Sequence, residues 1–157
     1  MIQAGNELAS RYSGYARGCD TYREFVFRLP AQILPSQPEV IAFGDGTPSE
    51  LLDPGEWLWV ADRYARVFPA DVLDLDLPAR QQARNTATAA AAMDEVLTFV
   101  RAGGQAVPAR AFRSERGREV YAREPGRFAR DRLVVVRDTY RQILAEQRAT
   151  MRREGDR

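Results

Sequence analysis

Asp53-Pro54-Gly55-Glu56-Trp57-Leu58-Trp59-Val60-Ala61-Asp62-Arg63-Tyr64-Ala65-Arg66-Val67-Phe68-Pro69 is the stretch on which the fold class turns. Asp at a cap position, Pro at the first helical position and Glu at the third make a capping box. The Asp carboxylate accepts from free amides, the Pro φ is preset for helix, and the Glu side chain reaches back to the cap amide. The pattern predicts a helix from about Pro54 to Phe68, ended by Pro69. On a helical wheel Trp57, Val60, Ala61, Tyr64 and Phe68 share one face, as in an amphipathic helix laid on a core. Trp59 falls on the opposite, polar face with Arg63 and Arg66.

Working outward, Asp71-Val72-Leu73-Asp74-Leu75-Asp76-Leu77-Pro78 reads as an acidic connector whose Asp76 caps a second helix, from about Pro78 to Arg101, stopped by Gly103-Gly104. Small residues from Ala87 to Ala92 allow close helix approach, and Met93, Val96, Leu97 and Val100 add bulk. This is the expected central helix. Ser114-Glu115-Arg116-Gly117 opens a short helix ending before Pro125. A last helix runs from near Gly126 to about Arg152, with Leu133, Val136, Tyr140, Ile143, Leu144 and Met151 as its apolar stripe and Arg127–Asp131 and Asp138–Arg141 as pairs along it. The tail 153–157 is expected to fray.

Toward the N-terminus, Leu8, Tyr12 and Tyr15 have helical spacing, with Asn6 as cap. Phe25, Phe27 and Leu29 alternate as in a strand, and Val40 to Phe43 forms a second short apolar run before Gly44-Asp45-Gly46-Thr47. These two runs are expected to pair or to be irregular. Fold class follows: mainly α, a compact bundle of about four to five helices with a small irregular or two-stranded N-terminal element. The 157 residues are expected to form a single domain, with 1–52 as the N-terminal helix and β or irregular segment, and 53–152 as the bundle.

Composition restricts the chemistry. There is no His and no Lys: all 23 basic side chains are Arg, and Cys19 is the one thiol. Arg in place of Lys, with abundant Ala, Gly and Pro, matches a GC-rich, bacterial composition. Without imidazole or primary amine, the common Ser/His and Cys/His mechanisms and Schiff-base catalysis cannot be built. One Cys without His cannot close a zinc site. Asp71, Asp74 and Asp76, or Asp45 with Glu50 and Asp53, lack calcium-loop spacing, and Gly44-Asp45-Gly46-Thr47 lacks the phosphate-loop pattern, so both read as turns. No metal or cofactor is expected, and an enzyme only if built from carboxylates, Tyr and Arg. The longest uncharged stretch, Leu29 to Pro38, holds ten residues and three prolines, and no secretion signal is visible. A cytoplasmic protein without membrane span is expected.

Charge is unevenly spread. Residues 1–38 sum to +1, 39–76 to −7 and 77–157 to +7. Trp59 with Arg63 and Arg66, followed by Asp71, Asp74 and Asp76, is the expected protein-binding constellation, because Trp and Arg are enriched at binding hot spots. A non-catalytic protein that sequesters or docks a protein partner, of immunity, antitoxin or adaptor type and with a toxin as one such partner, is the expected function. The alternative is nucleic-acid binding through Arg113, Arg116, Arg118, Arg123 and Arg127 of the Arg-rich 110–132 segment, against which the interleaved acids weigh.

Overall fold

The computed structural model describes residues 2–4, 7–15, 21–28, 41–65 and 77–155. Contacts group the chain into two compact units, Met1–Pro38 and Glu39–Arg157. The sequence reading placed the internal division after residue 52.

The N-terminal unit is a three-stranded antiparallel sheet of β1 (Ile2–Ala4), β2 (Glu7–Tyr15) and β3 (Tyr22–Arg28), in that order. The helix read over Leu8, Tyr12 and Tyr15 is therefore a strand, and it, not Val40–Phe43, is the partner of Phe25 and Phe27. Tyr12 opposes Phe25, Ser10 opposes Phe27, and Tyr15 opposes Tyr22. Tyr, Ser and Gly are poor helix formers, and the aromatic residues gain cross-strand contacts that a lone helix cannot offer. The Tyr12 and Phe27 rings meet edge to face at 5.7 Å, and those of Tyr15 and Tyr22 at 5.4 Å. Ile41 to Phe43 lies outside any strand, and Phe43 instead packs against Trp57 at 5.0 Å.

The second unit is helical, so the fold is mainly α as expected. Its helices are α1 (Pro54–Ala65), α2 (Ala79–Thr98), α3 (Glu115–Arg123) and α4 (Arg130–Gly155). Short 3-10 turns at Ala109–Ala111 and Pro125–Phe128 precede α3 and α4. Helix α2 packs against both α1 and α4 and is the central element. It is buried on several sides, with Ala83, Ala87 and the run Ala89 to Met93 among its covered residues. The core joins Trp57, Leu58 and Ala61 of α1 to Ala92, Met93 and Val96 of α2, with Val107, Phe112, Phe128 and Leu133. Leu58 takes the core position that the wheel gave to Tyr64, which is exposed. Phe112, Tyr121 and Phe128 form an aromatic triad, with centroids 4.3 to 5.7 Å apart.

Two other expectations change. The N-cap position of α2 is Pro78, with no side-chain cap; Gln81 N and Gln82 N donate to its carbonyl, and Asp76 lies outside the described residues. Of the charges read as pairs along the last helix, Arg127 and Arg141 reach other elements instead. Arg127 forks onto Asp62 of α1, Arg141 onto Asp94 of α2, and Asp138 pairs with its neighbour Arg137. Planar guanidinium groups favour such two-point contacts, which tie helices together better than pairs within one helix. The Gly44–Thr47 segment is a turn, as read: Gly46 has φ +93° and Thr47 donates its amide and hydroxyl to Asp45 Oδ1.

Candidate functional site

The site is built from the Asp53 carboxylate outward. Its Oδ1 accepts the amides of Gly55 and Glu56, while Glu56 Oε2 accepts the Asp53 amide, which completes the expected capping box. Its second oxygen does something the local sequence does not announce. Oδ2 accepts the amide of Arg113 at 2.8 Å and both the amide and the hydroxyl of Ser114, at 2.7 and 2.9 Å. Ser114 is itself the cap of α3, accepting from Gly117 N. One buried carboxylate, 1% exposed, thus binds the starts of two helices. Burial pushes its pKa up, but the hydrogen bonds from Ser114, Glu56 and Arg113 outweigh that and hold it below the ordinary 3.8.

The two helix starts meet at glycines. A Cβ on Gly55 would lie 2.5 Å from the Gly117 backbone, and one on Gly117 would collide with the Asp53 carboxylate. Close approach is what both glycines permit. It also decides what faces outward beside the junction. Arg116, in the first turn of α3, lies with its guanidinium carbon 4.5 Å from the centre of the Trp59 ring, and Arg63, one turn further along α1, lies at 5.6 Å. The Trp59 side chain is 37% exposed. The result is a platform in which two cations lie against one indole.

This platform draws on both candidate sets. Trp59 and Arg63 belong to the expected protein-binding constellation, whereas Arg116 was grouped with the Arg-rich segment. Arg66, Asp71, Asp74 and Asp76 lie outside the described residues. Of the remaining Arg-rich set, Arg113 donates to the carbonyls of Ser49 and Glu50, Arg118 to the carbonyl of Arg113, and Arg127 to Asp62. Arg123 is exposed. The sequence signal that could have located the junction is the pair of glycines, each in a helical first turn where glycine is costly unless something must come close.

A different carboxylate pair shows what the unit does not assemble. Asp94 points to Arg141 and Arg137 of α4, while Glu95, one residue on, is buried against Gly44. The two diverge, as neighbours on a helix must. Among the described residues no three His, Cys, Asp or Glu side chains gather as a metal site, and no helix is long and apolar enough to cross a membrane. Searches against models of protein families, curated proteins and solved structures returned no match to this chain.

Proposed function

We propose that this is a cytoplasmic, non-catalytic protein that docks or sequesters an acidic protein partner on the Trp59–Arg63–Arg116 platform. The observation that carries the reading is the exposure of the Trp59 ring beside two Arg side chains from different helices. An indole left 37% exposed gains further contact energy when a partner covers it. The two guanidinium groups favour carboxylates at the edge of that contact. The absence of His and Lys from the sequence supports binding over catalysis. The immunity or antitoxin role, drawn from chain size and charge asymmetry, belongs to the same proposal. A nucleic-acid role draws less support, since Arg113, Arg118 and Arg127 bond to the protein's own oxygens.

A photo-reactive residue in place of Glu119, exposed and three positions along α3 from Arg116, tests the proposal in the native host. The expected result is one dominant cross-linked protein with an acidic surface, lost when Trp59→Ala is added. Equal cross-linking from exposed Arg84 on α2, or indifference to Trp59→Ala, contradicts it.

A further inference from the structure

We propose that the N-terminal sheet pairs through β3 with a second copy of this chain, giving a six-stranded antiparallel sheet across a two-fold axis at Val26. The two edges of the sheet differ. One is β1, three residues long; the other is β3, seven residues long, with no strand on its outer side among the described residues. Long, apolar edge strands are templates for another strand. Phe25, Val26 and Phe27 are 47%, 48% and 37% exposed.

The sequence of β3 says which strand fits. Glu24-Phe25-Val26-Phe27-Arg28 is self-complementary when run antiparallel against itself. With the axis at Val26, Glu24 takes the register position opposite Arg28 of the second copy, Phe25 opposite Phe27, and Val26 opposite Val26. Both ends then carry opposite charges, and the centre is wholly apolar, the arrangement that favours cross-strand pairs. Moving the axis one residue to Phe25 sets Glu24 against Val26 and removes both charge pairs. Moving it to Glu24 sets two Glu side chains face to face. Register is therefore selected by the sequence.

The faces also match. A two-fold axis normal to the sheet keeps each face continuous across the new seam. Tyr12, Phe25 and Phe27 share one face by the register of β2 with β3, and their rings already touch, Phe25 with Phe27 at 6.3 Å and Tyr12 with Phe27 at 5.7 Å. Pairing joins two such clusters into one band of six rings. On the other face Glu24 lies 3.9 Å from Arg11 of its own chain.

Sedimentation of the full chain tests this. Wild type should be a dimer. Glu24→Arg and Arg28→Glu should each weaken it by at least about tenfold, because each turns two attractions into two repulsions. Mixing the two variants should restore a dimer, since every Arg then faces a Glu. A monomeric wild type, or a dimer indifferent to both substitutions, overturns the proposal. Should either variant fail to fold, Val26→Cys in a Cys19→Ser background gives a second reading. Residues facing across the axis are within disulfide reach, so it should cross-link on mild oxidation while Glu24→Cys does not. No cross-link at position 26, or equal cross-linking at 24, also overturns it.

Discussion

Two carboxylates of the helical unit are buried to nearly the same degree, Asp53 at the α1–α3 junction and Glu95 where α2 meets the Gly44 turn, 1% and 6% exposed. Their surroundings drive them in opposite directions. Asp53 collects amide and hydroxyl donors from both helix starts and is held below the ordinary carboxylate value against the pull of burial. Glu95 is pushed up, by burial first and then by the charges of Asp94 and Asp45, with the Gly44 backbone giving a partial offset. Burial alone does not set the sign of a buried charge's effect; the supply of donors does.

The largest expected effect comes from breaking the anchored carboxylate. Asp53→Ala removes a helix cap worth about 1 kcal/mol and leaves the Arg113 and Ser114 donors without their acceptor, each at about 1–3 kcal/mol. A loss of about 3 kcal/mol or more is expected in urea unfolding followed by circular dichroism. Asp53 also gives the pH response a sign. Its folded-state pKa lies below the unfolded one, so its contribution is in place above about pH 3.8 and is lost as the pH falls through the lower, folded-state value. Asp53→Asn should flatten the stability curve in that acid window.

A second break acts on what the junction displays. Because Trp59 is outside the core, Trp59→Ala should leave the unfolding midpoint almost unchanged, by less than about 1 kcal/mol for exposed cation–π contacts. Trp57→Ala, in contrast, opens a core cavity beside Leu58 and Met93 and should cost about 3–5 kcal/mol. The same denaturation series distinguishes the two tryptophans.

A modest effect of opposite sign sharpens the other side of the comparison. Glu95→Gln should stabilise the chain at neutral pH, by on the order of 1 kcal/mol, since it removes an incompletely compensated buried charge. Here the sign is reversed. The folded-state pKa is raised above the ordinary 4.5, so the folded state holds the proton more tightly, and stability falls as the pH rises from about 4.5 through the folded-state value. In Glu95→Gln that fall should vanish, with little difference from wild type below pH 4.

The same two regions show what could be read from residues alone. The capping box of Asp53 and Glu56 was legible because every bond in it spans three residues or fewer. The reach of Oδ2 to Arg113 and Ser114 spans 60 and 61 residues, and no local pattern encodes it; only the costly glycines at 55 and 117 hint at it. Trp59 and Arg63 were legible as one turn of one helix, whereas Arg116 joins them only through the α1–α3 contact. The strand over Glu7–Tyr15 was misread because both faces of the sheet are exposed at Arg11 to Tyr15. An element with no buried face shows no alternation, and the incidental spacing of Leu8, Tyr12 and Tyr15 then resembled a helix.

The central claim, that Trp59 and its two arginines form a docking surface, is tested most directly by calorimetric titration of the cross-linked partner with wild-type and Trp59→Ala chains. The account predicts at least about 30-fold weaker binding for Trp59→Ala, equivalent to about 2 kcal/mol, with an unchanged unfolding midpoint and with wild-type affinity falling as salt is added. Equal affinities for the two chains, or a Trp59→Ala chain that no longer folds, would contradict it.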